Sequence, residues 1–493
     1  MITALAFKKV AQEIGGHCYS AEAVAQAGLD SSSALFESQM SESGGSGDFV
    51  FKRVSTDTRT LRRGDLFVAL RGDNFDAHNF LPTAVDRGAS GLVVECRGEN
   101  IALPQMVVKD TTLALGKMAA INRRHFSGPL VAITGSCGKT TVKEMVASIF
   151  SACCNARVHA TCGNLNNHIG VPLTLLNLDA GHEYAVIEMG ANAPGEIAYL
   201  SGLASPTVAL VNNIMPAHVE GFGSIEGVAS AKAEIFSGLA CGGKAVINLD
   251  DRFAEQLRTR STEFDCLTFS SATDVNAATA ENLGCRPDFY ATDIRENNMG
   301  NIAFVMHSPL GKTDISLQVI GQQNVANALA AAACCYAAGV RLENIQQGLQ
   351  HFSAIAGRMN IRQGLSGSVV IDDSYNANPG SVRVAADTLS AWDGEKVLVL
   401  GDMAELGPEA PLLHREVGDY AKSRGIDRLI TVGVLSEEAG VGFGAGAEHF
   451  PQHTSAIDRL HQIIDRQMVL LVKGSRSARM ELVVRAISEH GEQ

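Results

Sequence analysis

The sequence has no excess of basic residues and no long apolar run. Its 493 residues carry a formal net charge of −13. This charge argues against a general nucleic-acid or anionic-membrane binder, because both partners favour a basic protein face. No apolar stretch approaches the length needed to span a bilayer. The hydrophobic share of 46% and the charged share of 19% are ordinary for a globular protein.

Cysteine spacing also excludes some classes of protein. The eleven cysteines are scattered and form no Cys-x-x-Cys motif. This pattern predicts reduced, mostly buried thiols and argues against a disulfide framework or a zinc site. Lys8 and Lys9 follow the short apolar start of the chain, which is the wrong order for a secretory signal. We therefore expect a cytoplasmic protein.

Three regions differ in their pattern of apolar residues. Region 1–126 mixes short strands and helices and contains a Gly/Ser run at 41–49 that predicts a flexible loop. Regions 127–356 and 357–493 alternate strands with helical stretches, which predicts parallel sheets covered on both faces. The strand candidates are 65–70, 91–95, 105–110, 130–134, 184–189, 207–214, 244–250, 369–373, 396–403, 428–433 and 469–475.

A glycine-rich turn, TGSCGKTT (134–141), follows the apolar strand at 130–134. Gly135 and Gly138 let the backbone turn tightly and point its N–H groups inward. Lys139 supplies a positive charge for phosphates, and Thr140 or Thr141 supplies a hydroxyl for Mg²⁺. The predicted nucleotide-binding residues of the turn are Gly135, Ser136, Cys137, Gly138, Lys139, Thr140 and Thr141.

The alternative interpretation of this turn is a strand-to-helix connection with a solvated lysine. The next segment favours the nucleotide, because it predicts a helix whose N-terminus attracts anions. Ile133 stands where the usual Walker pattern has glycine, so the loop has the shorter G-x-x-G-K-T form. The absence of an Asn-Lys-x-Asp run favours ATP over a guanine nucleotide. The apolar face of the predicted helix consists of Val142, Met145, Val146, Ile149 and Phe150.

Three candidate metal-site residues follow the turn at successive crossovers. Glu188 ends an apolar strand, His218 lies just beyond another, and Lys232 lies on the helix that follows. A carboxylate at a strand end can reach magnesium beside a phosphate loop. Taken singly, each residue has an ordinary alternative, namely a loop carboxylate, a polar loop histidine or a surface lysine. Together they fit a nucleotide cleft.

Several runs resemble the Mur ligases, the ATP-dependent amide ligases that extend the peptide of the bacterial cell-wall precursor. The central runs are TGSCGKTT, GNLNNHIGVPLTLL, AVIEMGANAPGEIAYL, AHVEGFGS and AKAEIF. Further runs are GQQNVANALAAAA (321–333), AGRM (356–359), IDDSYNANPGS (371–381), VLGDMAELG (399–407) and VKGSRSARME (472–481). The runs at 371–381 and 399–407 are similar to those of the family member that adds D-alanyl-D-alanine. In the first region, STDTRTLRRGDLFVALRGDNFDAHNF (55–80) is similar to the family's UDP-sugar domain.

The resemblance implies an α/β fold of three domains. These are a UDP-sugar domain (1–126), a central P-loop parallel-sheet ATPase domain (127–356) and a Rossmann-like domain on the amino-substrate side (357–493). It also implies the reaction. ATP phosphorylates the terminal carboxylate of UDP-N-acetylmuramoyl-tripeptide, and the amine of D-alanyl-D-alanine attacks the acyl phosphate, releasing ADP and phosphate.

The resemblance also implies residue roles. Lys139 neutralises phosphate, Thr140 and Glu188 hold a first magnesium ion, and His218 holds a second. Lys232 matches the family lysine that reacts with CO₂ to form a carbamate, which is an anionic oxygen ligand. The remaining nucleotide contacts are Arg358 at the γ-phosphate, Asn324 and Asn327 at the adenine edge, and Asp373 near the ribose.

Substrate contacts carry less sequence signal. Asparagines also cap and turn loops, and Arg59 is equally a surface arginine on chemistry alone. For Lys473, Ser475 and Arg476 the alternative is a Ser-capped helix start. The candidates are Ser55, Thr56, Asp57, Arg59 and His78 for the UDP-sugar; Asn164, Asn166 and Asn167 for the phosphate or carboxylate pocket; Tyr375, Asn376 and Asn378 for the dipeptide; and Lys473, Ser475 and Arg476 facing the same cleft.

Two departures from the family pattern leave these groups in place. Where the family often has Gly-x-His-Asn, this chain has Gly321-Gln322-Gln323-Asn324, and we expect the change to tune nucleotide affinity. Ala77 stands where the family commonly has glycine. Two other functions stay open at this point. One is another ATP-dependent amide ligase, either a different Mur enzyme or one similar to folylpolyglutamate synthase. The other is an ATP-driven switch or binding module. We expect a monomer that binds neither nucleic acid nor membrane.

Overall fold

The computed structural model describes residues 1–19, 49–72, 74–153, 157–216, 219–272, 286–297 and 300–489. By its internal contacts the chain forms two compact units. The first unit comprises Met1–Leu130, Arg157–Met189 and Tyr199–Ser205, and the second comprises Val131–Ala156, Gly190–Ala198 and Pro206–Gln493. The predicted loop at 41–49 lies outside the described residues except for Phe49. The three-domain boundaries stay a prediction.

A five-stranded sheet organises the first unit. Its strands, in spatial order, are His17–Tyr19, Gln105–Val107, Gly91–Val94, Leu66–Val68 and Val54–Ser55. The first pair is antiparallel and the others are parallel. Two further strand pairs are antiparallel: Leu5–Ala6 pairs with Val50–Phe51, and Arg71–Gly72 pairs with Phe75–Asp76. Val158–Ala160 pairs in parallel with Tyr184–Glu188. In the strands Leu66–Val68 and Gly91–Val94 the residues on both faces are buried, as expected for parallel strands covered by helices, whereas the edge strand His17–Tyr19 is exposed.

A mixed sheet in the second unit carries the phosphate loop. From the strand that precedes the phosphate loop to the far edge of this sheet, the order is Leu130–Thr134, Val208–Val211, Lys244–Asn248, Asp265–Ser270, Phe289–Glu296, Asn301–Ser308 and Gly311–Ile320. The first five are parallel to their neighbours, which confirms the prediction. The last three form an antiparallel edge that was not predicted. Short turns join them, and short turns can connect only antiparallel strands.

A second sheet of this unit has the predicted Rossmann-like form. Its strands, in order, are Asn360–Gln363, Val369–Asp373, Met468–Lys473, Glu395–Gly401, Arg428–Val432 and Ala447–Phe450. Only the first pair is antiparallel. Successive strand residues point to opposite faces, so Leu398 and Leu400 join one buried cluster while Val397 and Val399 join the other. Helices therefore cover both faces, and the α/β fold class is confirmed.

The α-helices follow the apolar periodicity of the sequence. All five residues of the apolar face predicted after the phosphate loop are fully buried. The described helices are Phe7–Ile14, Leu81–Asp86, Thr111–Arg124, Lys139–Ser151, Gly170–Leu176, Glu196–Ala204, Val219–Phe222, Ile225–Ala233, Ala254–Arg260, Gln323–Ala337, Leu342–His351, Pro379–Ser390, Ala410–Ser423, Glu437–Phe443, His453–Ile463 and Glu481–Ile487. Across the described ranges, no helix combines the length and the apolar character needed to cross a membrane.

One expectation and one alternative interpretation need correction. The thiols are not mostly buried, because Cys18, Cys96, Cys162, Cys241 and Cys266 are exposed while Cys334 and Cys335 are buried. The run after the last sheet strand is not a Ser-capped α-helix. Ser475 precedes a 3-10 turn, Arg476–Ala478, without a side-chain cap, and the α-helix begins only at Glu481.

Candidate active site

The phosphate loop joins the buried strand Leu130–Thr134 to the helix Lys139–Ser151. Gly135 and Gly138 have φ angles of +155° and +77°, which favour glycine. A Cβ atom on Gly138 would lie 2.6 Å from Asn327 Oδ1 and 2.7 Å from Asn212 Nδ2. Only glycine therefore fits at this turn, both for its backbone angle and for its close neighbours.

The neighbouring loop at 212–215 fixes the shape of the phosphate loop. Ser136 N donates to Asn213 O (2.9 Å), and Cys137 N donates to Asn213 Oδ1 (2.8 Å). Asn213 Nδ2 returns a bond to Cys137 O (3.0 Å). Ser136 Oγ also donates to Met215 O and accepts from Met215 N, both at 2.9 Å. Asn213 was missed by the sequence analysis, although the Asn-Asn pair directly after a strand was its signal.

The start of the helix presents donors to an anion. The backbone N–H groups of Gly138, Thr140 and Thr141 have no hydrogen-bond partner within the described part of the chain. Unpaired N–H groups and the helix dipole together favour a phosphate at this end. The Lys139 ammonium lies over the same loop, with Nζ donating to Gly135 O at 2.8 Å. This geometry suits the phosphates of a nucleotide.

The two predicted adenine-edge asparagines lie one turn apart on the helix Gln323–Ala337 and are buried. Asn324 Nδ2 donates to Ile320 O (2.7 Å), and Asn327 Nδ2 donates to Asn324 Oδ1 (2.9 Å). Asn212 Nδ2 completes the series by donating to Asn327 Oδ1 (3.2 Å) and Cys137 O (3.0 Å). Side-chain amides thus connect this helix to the phosphate loop.

Arg358 brings the segment 357–359 to the phosphate loop. Its Nη2 donates to Thr140 Oγ1 at 3.1 Å. Its Cζ lies 4.3 Å from the centroid of the Tyr375 ring, and the Cζ of Arg476 lies 5.9 Å from the same centroid. The Cys137 thiol lies 3.4–3.5 Å from the Asn378 amide. The structure therefore brings the predicted γ-phosphate arginine together with residues predicted for the dipeptide.

Asp373 and Lys473 form a buried ion pair beside this corner. They are register partners at the ends of adjacent parallel strands. Lys473 Nζ lies 2.5 Å from Asp373 Oδ2 and donates to Asn376 O at 2.9 Å. The side chain of Asn378 caps the helix Pro379–Ser390 in a capping box. Ser475 is buried, with its hydroxyl 3.1 Å from that of Ser477.

Lys232 lies on the helix Ile225–Ala233 and is only 3% exposed. Among the described residues its ammonium has no hydrogen-bond or ion-pair partner. Burial, with a smaller contribution from the Lys139 charge, lowers the pKa of Lys232 to about 7, against a weak opposing effect of Cys137. A large fraction is then an uncharged amine near neutral pH. His218 lies outside the described residues.

Glu188 ends the strand Tyr184–Glu188 of the first unit and is buried. Its Oε1 accepts from Asn166 Nδ2 at 2.7 Å, whereas its Oε2 is buried without a hydrogen-bond partner among the described residues. A buried carboxylate oxygen without a donor fits a cation such as Mg²⁺. No cluster of three His, Cys, Asp or Glu side chains occurs within the described ranges.

The other asparagines of this run have local roles. Asn167 Oδ1 accepts from Gly170 N at 2.9 Å, which begins the helix Gly170–Leu176, and Asn164 O accepts from Asn166 N at 2.7 Å. These bonds match the ordinary loop interpretation of asparagine. Of the three, Asn166 is the one that contacts Glu188.

The candidate UDP-sugar residues form two local groups in the first unit. Asp57 accepts two bonds from the exposed Arg59 guanidinium, and these bonds lower the pKa of Asp57. Ser55 Oγ donates to Asp57 O at 3.0 Å, and Thr56 lies in the bend between them. The Arg59 side chain is 86% exposed and is accessible to a ligand.

His78 belongs to the second of these groups. Its Nδ1 lies 2.6 Å from Asp76 Oδ1, and its Nε2 accepts from Glu95 N at 2.9 Å, so the neutral ring carries its proton on Nδ1. Hydrogen bonds from the His78 backbone and ring lower the pKa of Asp76 to about 2. Both ring nitrogens are therefore engaged within the protein.

The strand–loop–helix arrangement, with its lysine and its unpaired N–H groups, defines a P-loop nucleotide-binding α/β protein. Comparison with known families narrows this class. The Mur ligase middle domain matches residues 133–335, and the Mur ligase, glutamate ligase domain matches residues 357–476. The chain belongs to the Mur ligase family.

Similar proteins cover nearly the whole chain. The UDP-N-acetylmuramoyl-tripeptide–D-alanyl-D-alanine ligase of Escherichia coli K12 is 47% identical over 446 residues, which are 90% of this chain and 95% of that protein. A crystal structure of MurF from Acinetobacter baumannii matches with a TM-score of 0.84 and 34% identity over 98% of both chains. MurF ligase from Thermotoga maritima in complex with ADP matches with a TM-score of 0.77 and 27% identity, covering 88% of this chain and 96% of that one.

Proposed function

We propose that this chain is the ATP-dependent ligase that joins D-alanyl-D-alanine to UDP-N-acetylmuramoyl-tripeptide in peptidoglycan precursor synthesis, with release of ADP and phosphate. The observation that carries the proposal is the contact of Arg358 with both Thr140 and the Tyr375 ring. This contact places the run 371–381, which is similar to that of the D-alanyl-D-alanine-adding ligases, beside the phosphate loop. The name of the 47% identical relative supports the same reaction.

The chemistry follows from the weakness of a carboxylate as an electrophile. Transfer of the γ-phosphoryl group to the tripeptide carboxylate converts an oxygen into a leaving group. The dipeptide amine then attacks the acyl phosphate, and the tetrahedral intermediate collapses to amide and phosphate. Phosphate and carboxylate are both anions, so cations and backbone donors must hold them together. Lys139, Arg358 and the N–H groups of residues 138, 140 and 141 supply these charges and donors.

Magnesium would neutralise the phosphate oxygens that these groups leave uncompensated. Thr140 and Glu188 are the proposed ligands of a first ion, and the Oε2 of Glu188, which has no hydrogen-bond partner among the described residues, supports its part. His218 is the proposed ligand of a second ion. Lys232 joins the set as a carbamate, and its buried amine with a pKa of about 7 supports this, because only the neutral form reacts with CO₂.

The remaining candidates divide between the nucleotide and the two other substrates. Asn324 and Asn327 are proposed at the adenine edge and Asp373 near the ribose. The proposed UDP-sugar contacts are Ser55, Thr56, Asp57, Arg59 and His78. Asn166 is proposed for the pocket that binds the phosphate or the substrate carboxylate. Asn376, Asn378, Lys473, Ser475 and Arg476 are proposed for the dipeptide. A cytoplasmic location and a monomeric state stay predictions.

The testing experiment measures phosphate release from ATP with UDP-N-acetylmuramoyl-tripeptide, in the presence and absence of D-alanyl-D-alanine. We expect release only with both substrates, together with the pentapeptide product by mass spectrometry. D-Glutamate and L-lysine in place of the dipeptide test the other amide ligases. Phosphate release that does not depend on any of these amines would favour the alternative function, an ATP-driven switch.

Two variants serve as controls for this assay. Lys139→Met should abolish release because the phosphate charge is no longer neutralised. Lys312→Met replaces an exposed lysine on the antiparallel edge and should leave release unchanged. Equal loss in both variants would mean that the assay reports damage to the fold.

A further inference from the structure

The segment 357–359 has an unusual backbone. Gly357 and Met359 have φ angles of +73° and +51°, so both residues that flank Arg358 are in the left-handed region. For a non-glycine residue such as Met359, this conformation persists only where the surroundings enforce it. The Met359 side chain is buried in the core of the Rossmann-like sheet. Packing therefore fixes the direction in which Arg358 leaves the backbone.

Tyr375 contacts the same segment twice. Its backbone N donates to Gly357 O at 3.2 Å, and a Cβ atom on Gly357 would lie 3.1 Å from the Tyr375 Cβ. Its ring stacks on the Arg358 guanidinium, with Cζ 4.3 Å from the centroid. The guanidinium thus contacts both the Tyr375 ring and the Thr140 hydroxyl.

We propose that Tyr375 is a positioning residue for Arg358, and that its ring holds the guanidinium at the phosphate loop before the substrates bind. The inference rests on the proposed function, in which Arg358 acts on the γ-phosphate. It changes the expected role of Tyr375, which sequence reasoning assigned to the dipeptide. A ring under the plane of a guanidinium leaves its N–H edge available for oxygen acceptors. Stacking also removes side-chain rotamers that an unsupported arginine would sample.

Arg476 lies at the rim of the same arrangement. Its Cζ is 5.9 Å from the Tyr375 centroid, near the outer limit for a cation–π contact. Its guanidinium also lies 3.4 Å from a Glu481 carboxylate oxygen. Arg358 is therefore the cation that the ring holds closely.

The test compares Tyr375→Phe with Tyr375→Leu in steady-state kinetics of amide formation. Phenylalanine keeps the ring, so kcat should stay within about twofold of the wild type. Leucine removes the ring, and kcat should fall roughly 3- to 30-fold, the range for losing one cation–π contact. The KM for D-alanyl-D-alanine should stay within about twofold in both variants.

A rise of that KM in Tyr375→Phe would overturn the proposal, because it would show that the hydroxyl contacts the dipeptide. An unchanged kcat in Tyr375→Leu would overturn it as well. Tyr420→Leu is the matched control, because it removes a ring from another arginine–tyrosine contact. Tyr420 lies on the helix Ala410–Ser423, and its ring centroid is 5.4 Å from the Cζ of Arg383. We expect it to leave kcat unchanged.

A double-mutant cycle separates positioning from general damage. In an Arg358→Ala background, Tyr375→Leu should cause no further loss of kcat, because the ring acts through the arginine. Losses that multiply would assign Tyr375 an independent role and refute the proposal. An inactive wild-type enzyme would instead refute the proposed function, and this inference with it. The two failures are therefore distinguishable.

Discussion

Two regions of the second unit bury a lysine to the same extent but in different surroundings. Lys232 on the helix Ile225–Ala233 and Lys473 at a strand end are each 3% exposed. Lys473 pairs with Asp373 and donates to Asn376 O, whereas Lys232 has no such partner among the described residues. The carboxylate and the carbonyl oxygen give the ammonium of Lys473 two oxygen partners inside the protein. An unpaired buried lysine becomes a neutral amine, available for chemistry.

The largest expected effect separates the two lysines by activity. Lys232→Ala should lower amide formation at least roughly 100-fold, since a proposed metal ligand is removed. Millimolar short carboxylates should restore part of the activity by replacing the carbamate oxygens. The measurement is the pentapeptide formed per minute with and without added acetate or formate. Full activity in the variant would remove Lys232 from the site.

The second effect concerns the stability of the paired region. Lys473→Met leaves the Asp373 carboxylate buried without its partner and should cost about 3–5 kcal/mol of unfolding free energy. Urea titration followed by circular dichroism measures this loss. Replacing both partners, as Lys473→Met with Asp373→Asn, should recover most of it. If the double variant is no more stable than the single one, the pair is not the source of the loss.

The smallest effect is a pH dependence at the unpaired lysine. Its folded-state pKa of about 7 lies below the value of 10.5 for an exposed lysine, so the unfolded chain binds more protons between these two values. The penalty for burying Lys232 is complete below pH 7 and shrinks as pH rises. Lys232→Met should therefore gain about 2–3 kcal/mol more stability over the wild type at pH 6 than at pH 9.

This comparison needs urea titrations of both proteins without magnesium or nucleotide, in buffers purged of CO₂. The same pair of measurements on Lys473→Met should show a loss of stability at both pH values, because this variant leaves the buried Asp373 carboxylate without its partner. An equal gain for Lys232→Met at both pH values would contradict the lowered pKa.

The elements that the sequence predicted were those with a strong local pattern. Glycines at 135 and 138, between an apolar strand and an amphipathic helix, were sufficient to predict the phosphate loop. The parallel strands were predicted because each is a continuous apolar run. The antiparallel edge at 289–320 was missed because its strands alternate buried and exposed residues and so contain no continuous apolar run, and because its turns are short. Boundaries shifted by a few residues, as for 207–214, which is a strand only over Val208–Val211.

The site was predicted where chemistry is carried by residue type and missed where it depends on contacts across the chain. Lys139, Glu188 and Lys232 were proposed from their positions at strand or helix ends and from the family resemblance, and their roles stay predictions. Asn213 acts through its backbone and amide on residues 76 or more positions away, so the Asn-Asn pair after the strand did not reveal which residues it contacts. The stacking of Arg358 on Tyr375 depends on two left-handed residues, and only one of them is a glycine.

The bonds from Asn213 and Met215 to the phosphate loop have a consequence for nucleotide recognition. The loop is already folded around Ser136 and Cys137 by neighbouring protein groups, so an arriving phosphate does not have to order it. The conformational entropy of ordering this loop is lost during folding and not on binding, so more of the free energy of the new contacts contributes to affinity. Phosphate binding therefore requires less rearrangement at Ser136 and Cys137 than it would at a loop without these bonds.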